Sequence, residues 1–311
     1  MAAKLLSWNG TPTKEAILDF VAAVTNESGP HYVPTAERVA TFDNDGTLWV
    51  EKPAYIQLFF AIQRLKDMGE VDPTLLEKPA FKAAATGDMG YFAGLYPGDI
   101  PALMQIIYDS HAGISQPEFE RLAYDFMTHA RHPRFGVTFK QCIYQPMLEL
   151  MAYLKENDFK IFIASAGGMS FMRVVSEEIY QVPRENVIGS NITFEVGRED
   201  GRLILLRKPG LVDPPDDGPG KPVNIELHIG RPPILAAGNS DGDIEMLEFA
   251  EASGKPFLNL LLHHDDDERE YAYDHGAEKA LQLAGERGWT VISIEQDFRQ
   301  VFPTAARSGA A

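Results

Sequence analysis

Two spacings of apolar residues alternate along the chain and divide it. Over residues 13–25, Ile17, Leu18, Phe20, Val21 and Val24 gather on one side of a 3.6-residue spiral and predict a short helix. Residues 38–42 form an apolar strand that runs straight into the acidic turn Asp43-Asn44-Asp45-Gly46-Thr47. From about residue 53 to 133 the spacing is helical throughout, with Ile56, Phe59, Phe60, Ile62 and Leu65 early and Phe119, Leu122 and Phe126 late. Pro, Gly and Asp break this stretch into pieces, with loops expected at 87–90 and 94–98, and no strand pattern occurs in it.

Strand and helix patterns alternate afterwards. Helices are expected at 145–157, 169–180, 222–229, 241–252 and 268–284, and strands at 159–164, 186–189, 234–237, 257–262 and 290–294. A hairpin with arms at 192–196 and 203–206 interrupts the series, followed by a Pro-, Gly- and Asp-rich loop at 209–220. Apolar strands separated by helices predict an α/β fold, a doubly wound, Rossmann-like parallel sheet covered on both faces. The expected division is a core of residues 1–52 and 141–311, interrupted by a helical module at 53–140.

Composition narrows the function. The 311 residues are 45% hydrophobic and 23% charged, which excludes a disordered chain or a fibre. Lys and Arg number 28 against 45 Asp and Glu, a net charge of −17 that opposes nucleic acids and anionic membranes as partners. A small anionic substrate stays open, because a local cluster of donors overrides a diffuse distant field. The single cysteine, Cys142, allows no internal disulfide and is expected to be a small apolar filler. No apolar run reaches the roughly 18–20 residues of a membrane span, and the first ten residues lack the apolar stretch of a secretion signal. A cytoplasmic location is the expectation.

Four polar segments follow strands or open helices: Asp43-Asn44-Asp45-Gly46-Thr47, Ser165-Ala166-Gly167-Gly168, Lys221, and Gly238-Asn239-Ser240-Asp241-Gly242-Asp243. The carboxyl ends of strands in an open parallel sheet line one crevice, so these distant segments should converge. Two carboxylates two residues apart can divide tasks, one as nucleophile or ligand and the other as proton donor. Crowded oxygen donors call for a hard cation such as Mg²⁺. A serine hydroxyl and glycine-flanked N–H groups suit phosphate oxygens, and a lysine adds charge where a transferring group becomes negative. This is equipment for phosphoryl transfer.

In this order and context the four segments resemble the four motifs of the haloacid dehalogenase superfamily of phosphohydrolases. The resemblance covers about residues 36–295 apart from the insert, which falls where the superfamily's C1 caps lie; the insert and the Ser-Ala-Gly-Gly stretch are most similar to the phosphoserine-phosphatase-like branch. It implies a small-molecule phosphate ester as substrate and Mg²⁺ as cofactor. Asp43 would attack phosphorus and form an aspartyl-phosphate, while Asp45 would protonate the leaving oxygen and then activate water. Thr47 would support the turn, and Ser165, Ala166, Gly167 and Lys221 would hold the phosphoryl group. The cation would be bound by the Asp43 carboxylate, the Asp45 backbone carbonyl and motif four, where either Asn239 or Asp243 could coordinate and Asp241 would cap the next helix. Asn239 stands where the superfamily often has Asp.

The same equipment would serve a phosphotransferase, or a protein that binds phosphate ligands without turnover. Outside the four segments, His263-His264-Asp265-Asp266-Asp267 is expected to be a polar loop rather than a metal site, and Arg173 a surface ion-pair residue. Glu51, Lys52, Arg64, Arg121, Arg131, His132 and Arg134 are the insert's polar candidates for contacting the leaving group.

Overall fold

The computed structural model describes residues 5–95 and 100–303, so most of the loop expected at 94–98 lies outside the described residues. The chain opens with α1 (Pro12–Thr25) and β1 (Val39–Phe42). Five helices follow: α2 (Ile56–Val71), α3 (Pro79–Thr86), α4 (Met89–Ala93), α5 (Ile100–His111) and α6 (Gln116–His129). Next come α7 (Gln145–Glu156), β2 (Lys160–Gly168), α8 (Met169–Arg173), α9 (Ser176–Tyr180) and β3 (Val187–Ser190). The hairpin is β4 (Ile192–Glu199) and β5 (Arg202–Leu211). The remainder is α10 (Gly220–Ile229), β6 (Leu235–Gly238), α11 (Ile244–Glu251), β7 (Leu258–Asp265), β8 (Ala272–Tyr273), α12 (Glu278–Arg287), β9 (Thr290–Ser293) and α13 (Ile294–Asp297).

Six strands pair in parallel in the order β3-β2-β1-β6-β7-β9, with the short β8 antiparallel to the end of β7. Alternate residues of these strands enter two separate cores. Leu235, Ala237, Leu260 and Leu262 pack on the side of α1 and α7, whereas Ala236 and Leu261 pack on the side of α10, α11 and α12. Both faces are therefore covered, as the continuous apolar strands require. Strand order reverses between β1 and β6, which opens a crevice at their carboxyl ends.

Helices α2 to α5 contain a third core. Leu58, Ile62 and Leu65 of α2 pack with Phe81 of α3, Phe92 of α4 and Ile106 of α5. The opposite side of α2 faces the sheet domain: the Phe60 ring lies 5.6 Å from Phe119 and 5.3 Å from Phe171 of α8. The hairpin joins these helices too. Arg207 of β5 is buried beneath them, its guanidinium 3.7 Å from the Phe119 ring centroid and donating to the His111 carbonyl at 3.0 Å. Among the described residues no helix is long and apolar enough to cross a membrane.

Several boundaries depart from the sequence pattern. The expected helix at 169–180 is two short helices, α8 and α9. The strand expected to stop at residue 164 continues through Gly168, with a shift of register against β3 between Ser165 and Gly168; such a bulge re-aims side chains at a strand end. Residues 268–277 are not the start of a helix, which begins only at Glu278, because this stretch sends Glu270 into the interior and forms β8. The hairpin arms run further than the apolar pattern, closing on Asp200 and Gly201, both at positive φ, as a two-residue turn demands.

Candidate active site

Asp43 leaves β1 with its N–H bonded to the Ala237 carbonyl of β6 at 2.8 Å, which fixes it over the crevice. The turn that follows closes on itself. The Asn44 carbonyl accepts from the N–H groups of Thr47, Leu48 and Trp49, and Gly46 N–H donates to Trp49 at 2.8 Å. Gly46 adopts φ +76°, a left-handed conformation that glycine takes without strain. From the end of β7, His264 reaches over and its Nε2 lies 2.8 Å from the Gly46 carbonyl. A carbonyl only accepts, so this nitrogen carries a proton.

Lys221 is the pivot. Its fully buried Nζ donates to Asp43 Oδ1 at 2.7 Å, to Asp243 Oδ1 at 2.6 Å and to the Ala164 carbonyl at 2.9 Å. The Pro/Gly loop sets it at the start of α10, as the sequence pattern anticipates. Burial alone would pull its ammonium down, but Asp243 and Asp43 outweigh this and hold it above the ordinary lysine value. Burial raises the Asp43 carboxyl well above the usual carboxylate range; Lys221 opposes that and Asp243 adds to it. A bound divalent cation would act with Lys221 to favour the ionised form.

The two acids of motif four differ from their expected uses. Asp243 has both oxygens occupied, Oδ1 by Lys221 and Oδ2 by the N–H groups of Asn239 and Ser240, each at 3.0 Å. That leaves it poorly disposed to coordinate a metal directly. Asp241 does not cap the adjacent helix: Ser240 fills that place in a reciprocal box with Asp243, while Asp241 Oδ1 accepts from Ala280 N–H of α12 at 2.8 Å. Asn239 Oδ1 accepts from the Thr47 hydroxyl at 3.0 Å, and its Nδ2 donates to Glu51 Oε1 at 3.3 Å.

Asp45 faces Gly167, where an added Cβ would come within 2.9 Å of Asp45 Oδ2. Trp49 Nε1 donates to Asp45 Oδ1 at 2.7 Å. Burial pushes the Asp45 carboxyl up to about 7, against the indole donor that favours its ionised form. Ser165 is buried in β2, not at a helix N-terminus, and its hydroxyl accepts from Gly167 N–H at 3.4 Å. The four segments thus meet in one crevice. Oxygen donors available to a hard cation are the second oxygen of Asp43, which no hydrogen bond from the described residues reaches, Asn239 Oδ1 and the Asp45 backbone carbonyl. No three His, Cys, Asp or Glu side chains among the described residues make a ready cage, so the fit to Mg²⁺ rests on mixed side-chain and main-chain oxygens.

Of the other residues at the crevice, Glu51 is among the expected polar candidates and the rest are less visible in the sequence. Glu51, 7% exposed, accepts from Tyr273 Oη at 2.6 Å. His264 lies with Nδ1 3.0 Å from Glu270 Oε2, and Tyr144 Oη donates to Glu270 Oε1 at 3.2 Å. From α2, Gln57 Oε1 accepts from Gly168 N–H at 2.7 Å while its Nε2 lies 3.1 Å from His111 Nε2. An amide on a helical face carries no sequence signal for such a contact. Four of the other expected polar candidates are engaged elsewhere: Arg121 pairs with Glu118 and Asp125, Arg131 donates to the Gly136 carbonyl, His132 meets the Lys52 carbonyl and Arg134 pairs with Asp267. Arg173 makes no ion pair among the described residues and donates to the Val187 carbonyl at 3.0 Å. Cys142 is buried, and its thiol is pushed up to about 12 by desolvation.

Comparison with known proteins gives the site its context. A conserved protein of unknown function from Anaerococcus prevotii DSM 20548 has a similar structure, with a TM-score of 0.56 and 15% identity over 90% of this chain and 91% of its own. A protein of unknown function from Bordetella pertussis Tohama I gives 0.52 and 17% over 82% and 98%. A phosphoserine phosphohydrolase-like protein from Francisella tularensis subsp. tularensis SCHU S4 gives 0.44 and 15% over 84% and 95%. At these identities the first two similarities establish a shared fold. None of the curated proteins matches the sequence. The family model for haloacid dehalogenase-like hydrolases matches residues 40–248, a span that takes in all four segments. With most of its length inside that match, the chain belongs to the haloacid dehalogenase-like hydrolase family.

Proposed function

We propose that the protein is a Mg²⁺-dependent phosphatase that hydrolyses a small phosphate monoester through an aspartyl-phosphate on Asp43. The observation that carries this reading is the arrangement at Asp43: a buried acid gripped on one oxygen by Lys221 at 2.7 Å, its other oxygen without a hydrogen bond from the described residues, two residues before Asp45, whose carboxyl burial pushes up to about 7. In the first step the free Asp43 oxygen bonds to phosphorus as the ester oxygen departs, taking its proton from Asp45. In the second, Asp45 takes a proton from water, which attacks phosphorus and breaks the Asp43–phosphorus bond, releasing phosphate. An acid near pH 7 suits both directions of this transfer.

Thr47, Ser165, the Ala166 and Gly167 N–H groups and Lys221 would hold the phosphoryl oxygens. Asp43, the Asp45 backbone carbonyl and Asn239 would hold Mg²⁺, which when bound neutralises charge on the transferring group. Asp243 is better suited to anchoring Lys221 than to direct ligation. Residues 53–140 would act as the cap, closing over the ester, and this helical insert after motif one supports placement in the phosphoserine-phosphatase-like branch. A cytoplasmic metabolite is the proposed class of substrate, consistent with a single buried, unpaired cysteine.

The test is hydrolysis of a generic aryl phosphate with Mg²⁺, before and after chelation. Turnover should be lost on chelation and regained on adding Mg²⁺ back, and Asp43→Asn should abolish it while leaving thermal unfolding cooperative. Turnover retained by that variant refutes the nucleophile assignment. Ligand binding without turnover across a panel of phosphate esters refutes the enzyme and leaves a sensor.

A further inference from the structure

A divalent cation at this crevice meets an unusual charge balance. Asp43 and Asp243 share Lys221, so one positive charge serves two buried acids. Asp45 has one carboxylate oxygen held by Trp49 and the other against Gly167. Asn239 is neutral. Its orientation is nonetheless fixed, because a carboxylate can only accept, so the end facing Glu51 is Nδ2 and the end receiving the Thr47 hydroxyl is Oδ1.

We propose that Glu51 is the carboxylate partner of Asn239, and that the two together do the work of a single anionic ligand at the cation site. This rests on the cation reading given above. Glu51 is almost fully buried, is steadied by Tyr273 at 2.6 Å, and has Asn239 Nδ2 at 3.3 Å. Accepting from the amide N–H pushes electron density toward Oδ1, whose second lone pair is left for a metal, and places a carboxylate, with Lys52 Nζ 4.0 Å from its Oε1, one hydrogen bond away. Carboxylates behind a metal ligand act in this way, orienting it and raising its basicity. The pair also abuts the turn that carries the nucleophile. A Cβ at Gly46 would overlap Asn239 Nδ2 and come within 2.9 Å of Glu51 Cδ. Glu51 is thus a positioning residue whose effect passes through Asn239.

The experiment is Mg²⁺ titration of the full-length protein by calorimetry without substrate, with unfolding curves in chelator as the folding control. Glu51→Gln should keep its fold and lose about 10–100-fold in Mg²⁺ affinity, the range found when a ligand's carboxylate partner is removed. The swap Glu51→Gln with Asn239→Asp, which moves the charge back onto the ligand, should restore affinity to near the parent's. If Glu51→Gln binds Mg²⁺ like the parent and only raises KM for an ester, Glu51 serves the substrate and the proposal falls. If the single variant weakens binding but the swap does not restore it, the loss is structural and the proposal again falls. No Mg²⁺ binding by the parent chain would refute the cation reading itself, and with it the role of Glu51.

Discussion

Replacing Gly46 with alanine probes the packing of the crevice without presuming any chemistry. Two costs add. At φ +76° an alanine sits in the left-handed region, which costs about 1–2 kcal/mol for a residue with a Cβ. The new methyl would also overlap Asn239 Nδ2, lie 2.7 Å from Asn239 Cγ and 2.9 Å from Glu51 Cδ. Both side chains are buried, so neither can swing into solvent, and overpacking of this kind costs about 1–3 kcal/mol. Gly288 supplies the control. It has φ +72° and nothing within 4 Å of a Cβ, so alanine there carries the backbone cost alone. Urea unfolding of both variants in chelator should show Gly46→Ala less stable than Gly288→Ala by about 1–3 kcal/mol. Equal losses would mean that Asn239 and Glu51 yield freely, and the account of a tightly built turn would be wrong.

Two more outcomes follow from the charges. Asp45 must be protonated to donate, so kcat/KM should fall as pH rises through its value of about 7; Trp49→Phe removes the donor that favours the ionised form, and should move this limb upward by about one to two pH units, a hydrogen bond to a charged group being worth roughly 1.5–3 kcal/mol. An unmoved limb would show that another group titrates. Lys221→Met leaves Asp43 and Asp243 buried without their cation, and should destabilise the metal-free protein by about 3–5 kcal/mol at pH 8. The loss should be smaller at pH 5, where Asp43, whose carboxyl burial already holds above the usual range, can take up a proton; a loss that is the same at both pH values in urea unfolding would contradict the pairing.

Much of this architecture is written in local pattern. Apolar strands ending in Asp43, Ser165 and Gly238 identify the crevice because strand ends in a parallel sheet must share an edge. What stays hidden depends on partners distant in sequence. His264 reads as one of two adjacent loop histidines, and only the fold brings it to the Gly46 carbonyl, 218 residues away. Residues 268–277 have helical spacing, yet the burial of Glu270 beside His264 and the stacking of Tyr273 on the His264 ring at 4.4 Å override it. Glu51 reads as a polar candidate for the leaving group, and only the fold turns Asn239 toward it, while Trp49 passes for an ordinary residue after a motif until Asp45 turns toward it. Gln57 is one polar residue among many on an amphipathic helix.

Arg207 has a consequence for how the crevice can open. Its guanidinium lies on Phe119, its Nε donates to the His111 carbonyl, and its Nη1 donates to Gln116 Oε1 at 2.6 Å, so β5 is stitched to both α5 and α6. A hinge that lifts those helices off the sheet must carry the β4–β5 ribbon along, or strip a buried cation of its contacts to His111, Gln116 and Phe119 at once. Any body that lifted with those helices would therefore be larger than the stretch between the first two strands, taking in the ribbon that leaves β3 at Asn191 and leads to α10 beyond Leu211.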